Sequence, residues 1–253
     1  MNVVIITGAS SGIGREFAIQ MDTTLRNIDE FWLIARRKDR LDEVAASMKT
    51  KTRIIPLDIM EKRSLEVLYY VLKEEAPTVR ILVNGAGFGI LGNFDESNLQ
   101  EQTDMIHLNC TAITQITRMC LPYMKRNSRI IQMASSASFL PQANFAIYAA
   151  TKAFVLSFSQ GLGQELKKRG IYVTAVCPGP VETEFFTIAE KHGSIMEIKK
   201  LLMVQAKDVV KCAMRDSIRK KDISIYGIPM KLLYFIAKFA PKKLIFAILR
   251  VVK

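Results

Sequence analysis

The chain has 253 residues, 49% of them apolar, which is enough for one sizeable α/β core and short for two. Its four cysteines (Cys110, Cys120, Cys177 and Cys212) lie far apart with no C-x-x-C pair, and His107 and His192 are isolated, so neither a disulfide framework nor a metal site is encoded. The net charge of +12 admits nucleic acid, an anionic membrane or an anionic ligand; six of the excess charges (Lys231, Lys238, Lys242, Lys243, Arg250 and Lys253) sit in the last 25 residues, which contain no acid.

Met1-Asn2-Val3-Val4-Ile5-Ile6 shows no basic n-region and no small-residue cleavage site, so the expected location is the cytoplasm. Asn2 to Ile6 is an apolar β-branched run, predicted to be a strand buried on both faces. It leads into Thr7-Gly8-Ala9-Ser10-Ser11-Gly12-Ile13-Gly14 and then Arg15 to Leu25 at helical spacing. A strand, three glycines and a helix start form a phosphate cradle, because glycine lets the backbone approach the ligand and the helix presents unpaired N–H groups. Gly8, Ser10, Ser11, Gly12, Ile13 and Gly14 are therefore candidate cofactor contacts.

Phe31 to Ala35 is the second strand and ends in Arg36-Arg37-Lys38, before a helix over Asp39 to Lys49. A carboxylate at this strand end would accept hydrogen bonds from adenosine ribose hydroxyls, whereas arginine pairs with a 2′-phosphate. Arg36 thus favours NADP(H), with NAD(H) admissible. Arg53 to Asp58 is the third strand, with Asp58 placed to recognise an adenine amino group, and Glu61 to Glu75 is an amphipathic helix. Val79 to Val83 is the fourth strand, closing on Asn84-Gly85-Ala86-Gly87. Repeated β-α units imply a parallel sheet covered by helices, and the ligands of such sheets bind at the carboxyl ends of the strands.

Leu99 to Lys125 carries a long helical pattern containing Asn109. Arg129 to Ala134 is the fifth strand and delivers Ser135, and Phe145 to Lys168 is a helix ended by Gly170. On that helix Tyr148 and Lys152 are four residues apart, so both side chains leave one face. A phenol has an ordinary pKa of about 10, and bringing it to 7 takes roughly 4 kcal/mol, which one ammonium about 4 Å away can supply. Ile171 to Val176 is the sixth strand, followed by Cys177-Pro178-Gly179-Pro180-Val181-Glu182-Thr183. Residues 184–204 have the irregular, polar profile of a substrate loop; Ala206 to Lys220 then reads as a helix and Ile223 to Tyr226 as a last strand.

Taken in order, these motifs resemble the short-chain dehydrogenase/reductase family over residues 2 to 185: T-G-x-x-x-G-x-G from Thr7 to Gly14, Asn84 to Gly87, Asn109, Ser135, Tyr148 with Lys152, and Pro178-Gly179. Gly85 departs from the more usual second Asn of N-N-A-G. The resemblance implies a single Rossmann-type doubly wound domain over 1–228 that interconverts a carbonyl and an alcohol with NADP(H). It assigns Tyr148 as general acid/base and Ser135, thirteen residues earlier, as the second hydrogen-bond donor to the substrate oxygen. Lys152 would lower the Tyr148 pKa and hold the nicotinamide ribose, Asn109 would position a relay water, and Thr183 would hold the carboxamide. Asn84, Ala86, Gly87, Pro178, Gly179 and Val181 complete the implied cofactor contacts. The Tyr148 to Thr183 segment is similar to the branch containing hydroxysteroid dehydrogenases and long-chain 3-oxoacyl reductases, which implies an apolar small-molecule substrate. Family habit adds a homodimer or homotetramer, and no nucleic-acid partner is expected. The competing expectation is a cofactor-binding sensor or membrane-peripheral protein on the same fold.

The segment 229–253 interleaves lysines with Leu232, Leu233, Phe235, Ile236, Phe239 and further apolar residues, and Pro241 interrupts it. Its charges exclude a spanning helix. Three readings stay open: a helix packed over the substrate cleft or a subunit interface, an interfacial membrane helix with snorkelling lysines, and a frayed basic tail.

Overall fold

The computed structural model describes residues 1–190 and 202–241. Seven parallel strands form the central sheet: β1 (Asn2–Thr7), β2 (Glu30–Ala35), β3 (Thr52–Pro56), β4 (Thr78–Asn84), β5 (Arg129–Met133), β6 (Tyr172–Val176) and, further on, β9 (Ile223–Ser224). Their order is β3-β2-β1-β4-β5-β6-β9, so the order reverses between β1 and β4, where doubly wound sheets hold their ligands. The expected α/β class and its parallel sheet are observed.

The alternation of side chains along β1 builds two apolar layers. Val3 and Ile5 face one layer, closed by Leu65, Leu68 and Leu72 of α3 (Lys62–Glu75), Ile116 of α5 (Ile113–Cys120) and Leu162 of α6 (Ala146–Leu166). Val4 and Ile6 face the other, closed by Phe17 and Met21 of α1 (Gly12–Thr24), Leu41 of α2 (Lys38–Ala46), and Val210 and Ala213 of α8 (Ala206–Ile218). Close packing on both faces holds β1 rigid, and this fixes the position of the glycine turn at its carboxyl end.

Three elements differ from the sequence pattern. The long helix expected from Leu99 begins as α4 (Leu99–Ile106), capped by the Asn98 side chain, then passes through a π-helical turn over His107–Ala112 before α5. That widened turn carries Asn109, fully buried. The loop after Thr183 contains a short helix, α7 (Phe185–Ala189), and strand β8 (Val204–Gln205) pairs with β7 (Val181–Glu182); residues 191–201 lie outside the described residues. The tail forms α9 (Ile228–Phe239), with the rest of its expected amphipathic pattern, 242–253, outside the described residues, as is His192. Among the described residues, no helix is long and apolar enough to cross a membrane.

Candidate active site

A cavity of about 730 Å³ opens along the carboxyl ends of the strands. Its two ends are built differently.

At one end lies the glycine turn. Thr7 Oγ1 accepts hydrogen bonds from the N–H groups of Gly85 (3.1 Å) and Ala86 (3.3 Å), which joins the ends of β1 and β4. Gly8 has φ +68°, and a Cβ there would lie 2.7 Å from the Ala86 nitrogen; a Cβ on Gly14 would lie 2.2 Å from the Gly8 carbonyl oxygen. Both positions therefore exclude any side chain. Gly85 is equally closed, since a Cβ would meet the Thr7 carbonyl oxygen at 2.6 Å, so the departure from the usual Asn is matched by local packing. Ser11 caps α1 without a side-chain hydrogen bond, leaving the first-turn N–H groups beside Gly12 and Ile13 at the cavity wall. These groups suit an anionic phosphate, and the helix dipole adds to the attraction.

Ser10, Arg36 and Asp58 line the same end, and so does Arg37. Arg36 lies 3.8 Å from Asp58, whose other oxygen accepts from the Met60 N–H. Sequence reasoning missed Arg37, although it stands next to Arg36 in the same basic run. Its guanidinium reaches Ser10 Oγ at 3.5 Å and pairs with Glu184 at 2.9 Å, so it links the glycine turn to the segment leading into α7.

At the other end stand Ser135, Tyr148 and Lys152. Ser135 follows β5 in extended backbone, and the Ser136 N–H donates to the Pro178 carbonyl oxygen, tying the ends of β5 and β6 together. Ser135 Oγ accepts from the Ala137 N–H and shares a hydrogen bond with Tyr148. The Tyr148 ring is buried, stacked on Phe145 at 4.2 Å and tilted against Phe185 at 5.4 Å. Phe145 is three residues upstream of Tyr148, a spacing that would have revealed it from sequence.

Lys152 Nζ donates to the Met133 carbonyl oxygen at 2.8 Å and lies 5.6 Å from the centre of the Tyr148 ring. Burial brings its pKa down to about 8, opposed by Cys110 and Cys177. The four-residue spacing predicts a Tyr148 pKa lowered by Lys152; in the structure burial dominates and pushes the phenol up to about 12, with the Ser135 hydrogen bond acting the other way. The physical reason is that the ring is enclosed by aromatic carbon while the amine is turned to a backbone carbonyl.

Asn109 is held on three sides. Its amide donates to the Phe88 carbonyl oxygen (2.9 Å) and to Thr151 Oγ1 (3.1 Å), and its Oδ1 accepts from the Phe88 N–H (3.2 Å). A Cβ on Gly87 would lie 2.9 Å from Asn109 Oδ1 and 3.2 Å from Lys152 Nζ, so this glycine keeps the space beside both open. Asn109 has one acceptor lone pair left for a further partner. Thr151, which also donates to the Tyr148 carbonyl oxygen, is a supporting residue that carried no motif.

Of the remaining expected contacts, Ala86, Gly87, Pro178, Gly179, Val181 and Thr183 all line the cavity. Asn84 does not reach it: its amide is buried between Thr117 Oγ1 and Gln132 Oε1, at 3.0 and 2.9 Å. Phe88, Ile90, Phe185, Phe186, Met230 and Leu233 enclose the cavity beyond Tyr148. No cluster of three or more metal-ligating side chains occurs among the described residues.

The fold and this cavity define the class, an NAD(P)-dependent oxidoreductase acting on CH–OH groups. The model of the family described as short chain dehydrogenase matches residues 2–192, and the chain belongs to that family. A very-long-chain 3-oxoacyl-CoA reductase of Phaeosphaeria nodorum is 34% identical over 210 residues, covering 78% of this chain and 60% of that protein. Serine 3-dehydrogenase of Agrobacterium fabrum is 32% identical, covering 76% of each. Among solved structures, a short-chain dehydrogenase from Sphingobium yanoikuyae in complex with NADPH superposes with a TM-score of 0.79 at 31% identity, covering 90% of this chain and 89% of that one.

Proposed function

We propose that this chain reduces an apolar ketone or related carbonyl compound with NADPH, using Tyr148 as the proton donor. The observation that carries the reading is the buried Tyr148 ring beside Ser135, enclosed by Phe145 and Phe185, where burial pushes the phenol's pKa up. The relatives' names do not choose the substrate, because serine and very-long-chain acyl groups share little chemistry. The lining supports an apolar one. Phe88, Phe145, Phe185 and Phe186 favour apolar matter.

NADPH, when bound, supplies the hydride. The glycine turn and the first-turn N–H groups of α1 suit its pyrophosphate, and Arg36 with Arg37 suits its 2′-phosphate. Ser135 and Tyr148 would both hydrogen-bond to the substrate oxygen, which fixes the carbonyl and stabilises the charge that develops on it. Tyr148 then gives its proton to that oxygen. A phenolate left in this burial is costly, so it must be reprotonated at once. Lys152, with its pKa near 8, is the neighbouring group able to gain and lose a proton close to neutrality. The free acceptor of Asn109 suits a water linking that amine to solvent.

The test is consumption of NADPH with a panel of ketones graded from small and polar to bulky and apolar. Turnover rising with apolar bulk supports the reading. NADPH binding without oxidation by any ketone would sink it and leave a cofactor-binding protein without turnover.

A further inference from the structure

We infer that the outward face of α9 lies on an anionic lipid surface, with its apolar side chains in the headgroup region and its lysines at the phosphates. At about 100° per residue, Ile228, Leu232, Phe235 and Phe239 fall within a sector of about 60°, while Met230, Leu233, Tyr234 and Ala237 lie on the opposite side. The inner set is held by the protein. Met230 packs so closely on Gly179 that a Cβ there would meet its sulfur at 2.7 Å, and Tyr234 makes an edge contact with Phe139 at 5.0 Å. The outer set is open, with Ile228 82% exposed, Phe235 60% and Phe239 64%. A helix apolar on both faces has a second apolar environment to meet.

Charge selects that environment. After Asp222 the sequence contains no acid, but it contains Lys231, Lys238, Lys242, Lys243, Arg250 and Lys253. Lys231 and Lys238 both fall on one side of the outward apolar sector, about 40° and 60° beyond its Phe235 edge, and the Lys238 amine lies 5.6 Å from the Phe239 ring centre and 6.0 Å from that of Tyr234. Like charges along one side of an apolar stripe would face their counterparts in an antiparallel pairing with a second copy of this chain and repel them, whereas anionic headgroups attract them. Twelve residues of helix rise about 18 Å, too short for a bilayer core of about 30 Å, so α9 lies along the surface rather than through it.

The inference does not depend on the substrate, and its test requires no turnover. Full-length protein is sedimented with vesicles of phosphatidylcholine containing about 30 mol% phosphatidylglycerol and with vesicles of phosphatidylcholine alone. Binding is expected to the first and to be at least about tenfold weaker to the second and in high salt. Leu232→Ser with Phe235→Ser should reduce binding at least about tenfold, because half of the outward stripe is lost, and Lys231→Gln with Lys238→Gln should weaken it about fivefold per lysine. All of these residues lie outside the cavity, so ketone reduction in solution should be unchanged and would report intact folding. Equal binding to both vesicle types, no binding to either, or binding indifferent to Leu232→Ser with Phe235→Ser would each overturn the inference. It would also fall if the wild type were a dimer that the serine variant dissociates without change in vesicle binding, since a second copy would then cover this face.

Discussion

The two ends of the cavity recognise by different means. At the glycine end the contacts are backbone N–H groups and exposed charges: Gly8 and Gly14 exclude side chains, and Arg36 and Arg37 reach in from the surface. At the tyrosine end buried side chains act on one another, and burial moves both Tyr148 and Lys152 away from their ordinary pKa values in opposite directions. One end is specified by conformation and the other by environment. Substitutions at the first should alter affinity for the nucleotide, whereas those at the second should alter rate and pH dependence.

The largest test of that division is Tyr148→Phe. It removes the proposed proton donor and keeps the ring stacked on Phe145, so kcat should fall about 10³-fold while the Kd for NADPH stays within about threefold. Steady-state rates with calorimetric binding would check this; retained rate would mean another acid. Next, Arg36→Ala with Arg37→Ala should raise the Kd for NADPH about 10- to 100-fold and leave NADH binding nearly unchanged, since charge-assisted hydrogen bonds to the 2′-phosphate are lost. Parallel weakening of both nucleotides would place the 2′-phosphate elsewhere.

A smaller effect concerns stability. Burial lowers the Lys152 pKa to about 8 from an ordinary value near 10.5, so between these values the unfolded chain binds the extra proton and stability rises with pH. The raised phenol of Tyr148 works in the opposite sense, but only above about pH 10. The Tm measured without nucleotide should therefore contain a component that rises from about pH 8 to 10, and Lys152→Met should flatten it. An identical slope in the variant would show that the amine is not desolvated. The smallest effect is at Glu184. It pairs with Arg37 at 2.9 Å across half-exposed surface and would compete with a 2′-phosphate for it under the proposed reading. Glu184→Gln should tighten NADPH binding about two- to fivefold without affecting NADH, as befits a surface pair worth up to about 1 kcal/mol. Unchanged NADPH affinity would remove Glu184 from nucleotide selection.

Much of the architecture was legible in the sequence because the unbroken apolar β-branched run of β1 and the glycine spacing after it are local instructions. The interruption of the Leu99 to Lys125 helix was not, because the π-helical turn at Asn109 brings its amide to Phe88 and Thr151, partners far away in sequence. Arg37 could have been taken together with Arg36, and Phe145 from its position one turn before Tyr148. Met230 and Leu233 could not, because their place in the cavity wall depends on α9 crossing over Gly179 and Phe139.

By itself the sequence determined the parallel sheet, the glycine turn after β1 and the shared face of Tyr148 and Lys152, since each is written as a short-range spacing that backbone geometry must obey. Only the tertiary structure decided the electrostatic state of that site and the apolar walls around it. Desolvation depends on which distant segments come to surround a group, and the rings of Phe145 and Phe185, the Met133 carbonyl and the residues of α9 converge only once the sheet is assembled.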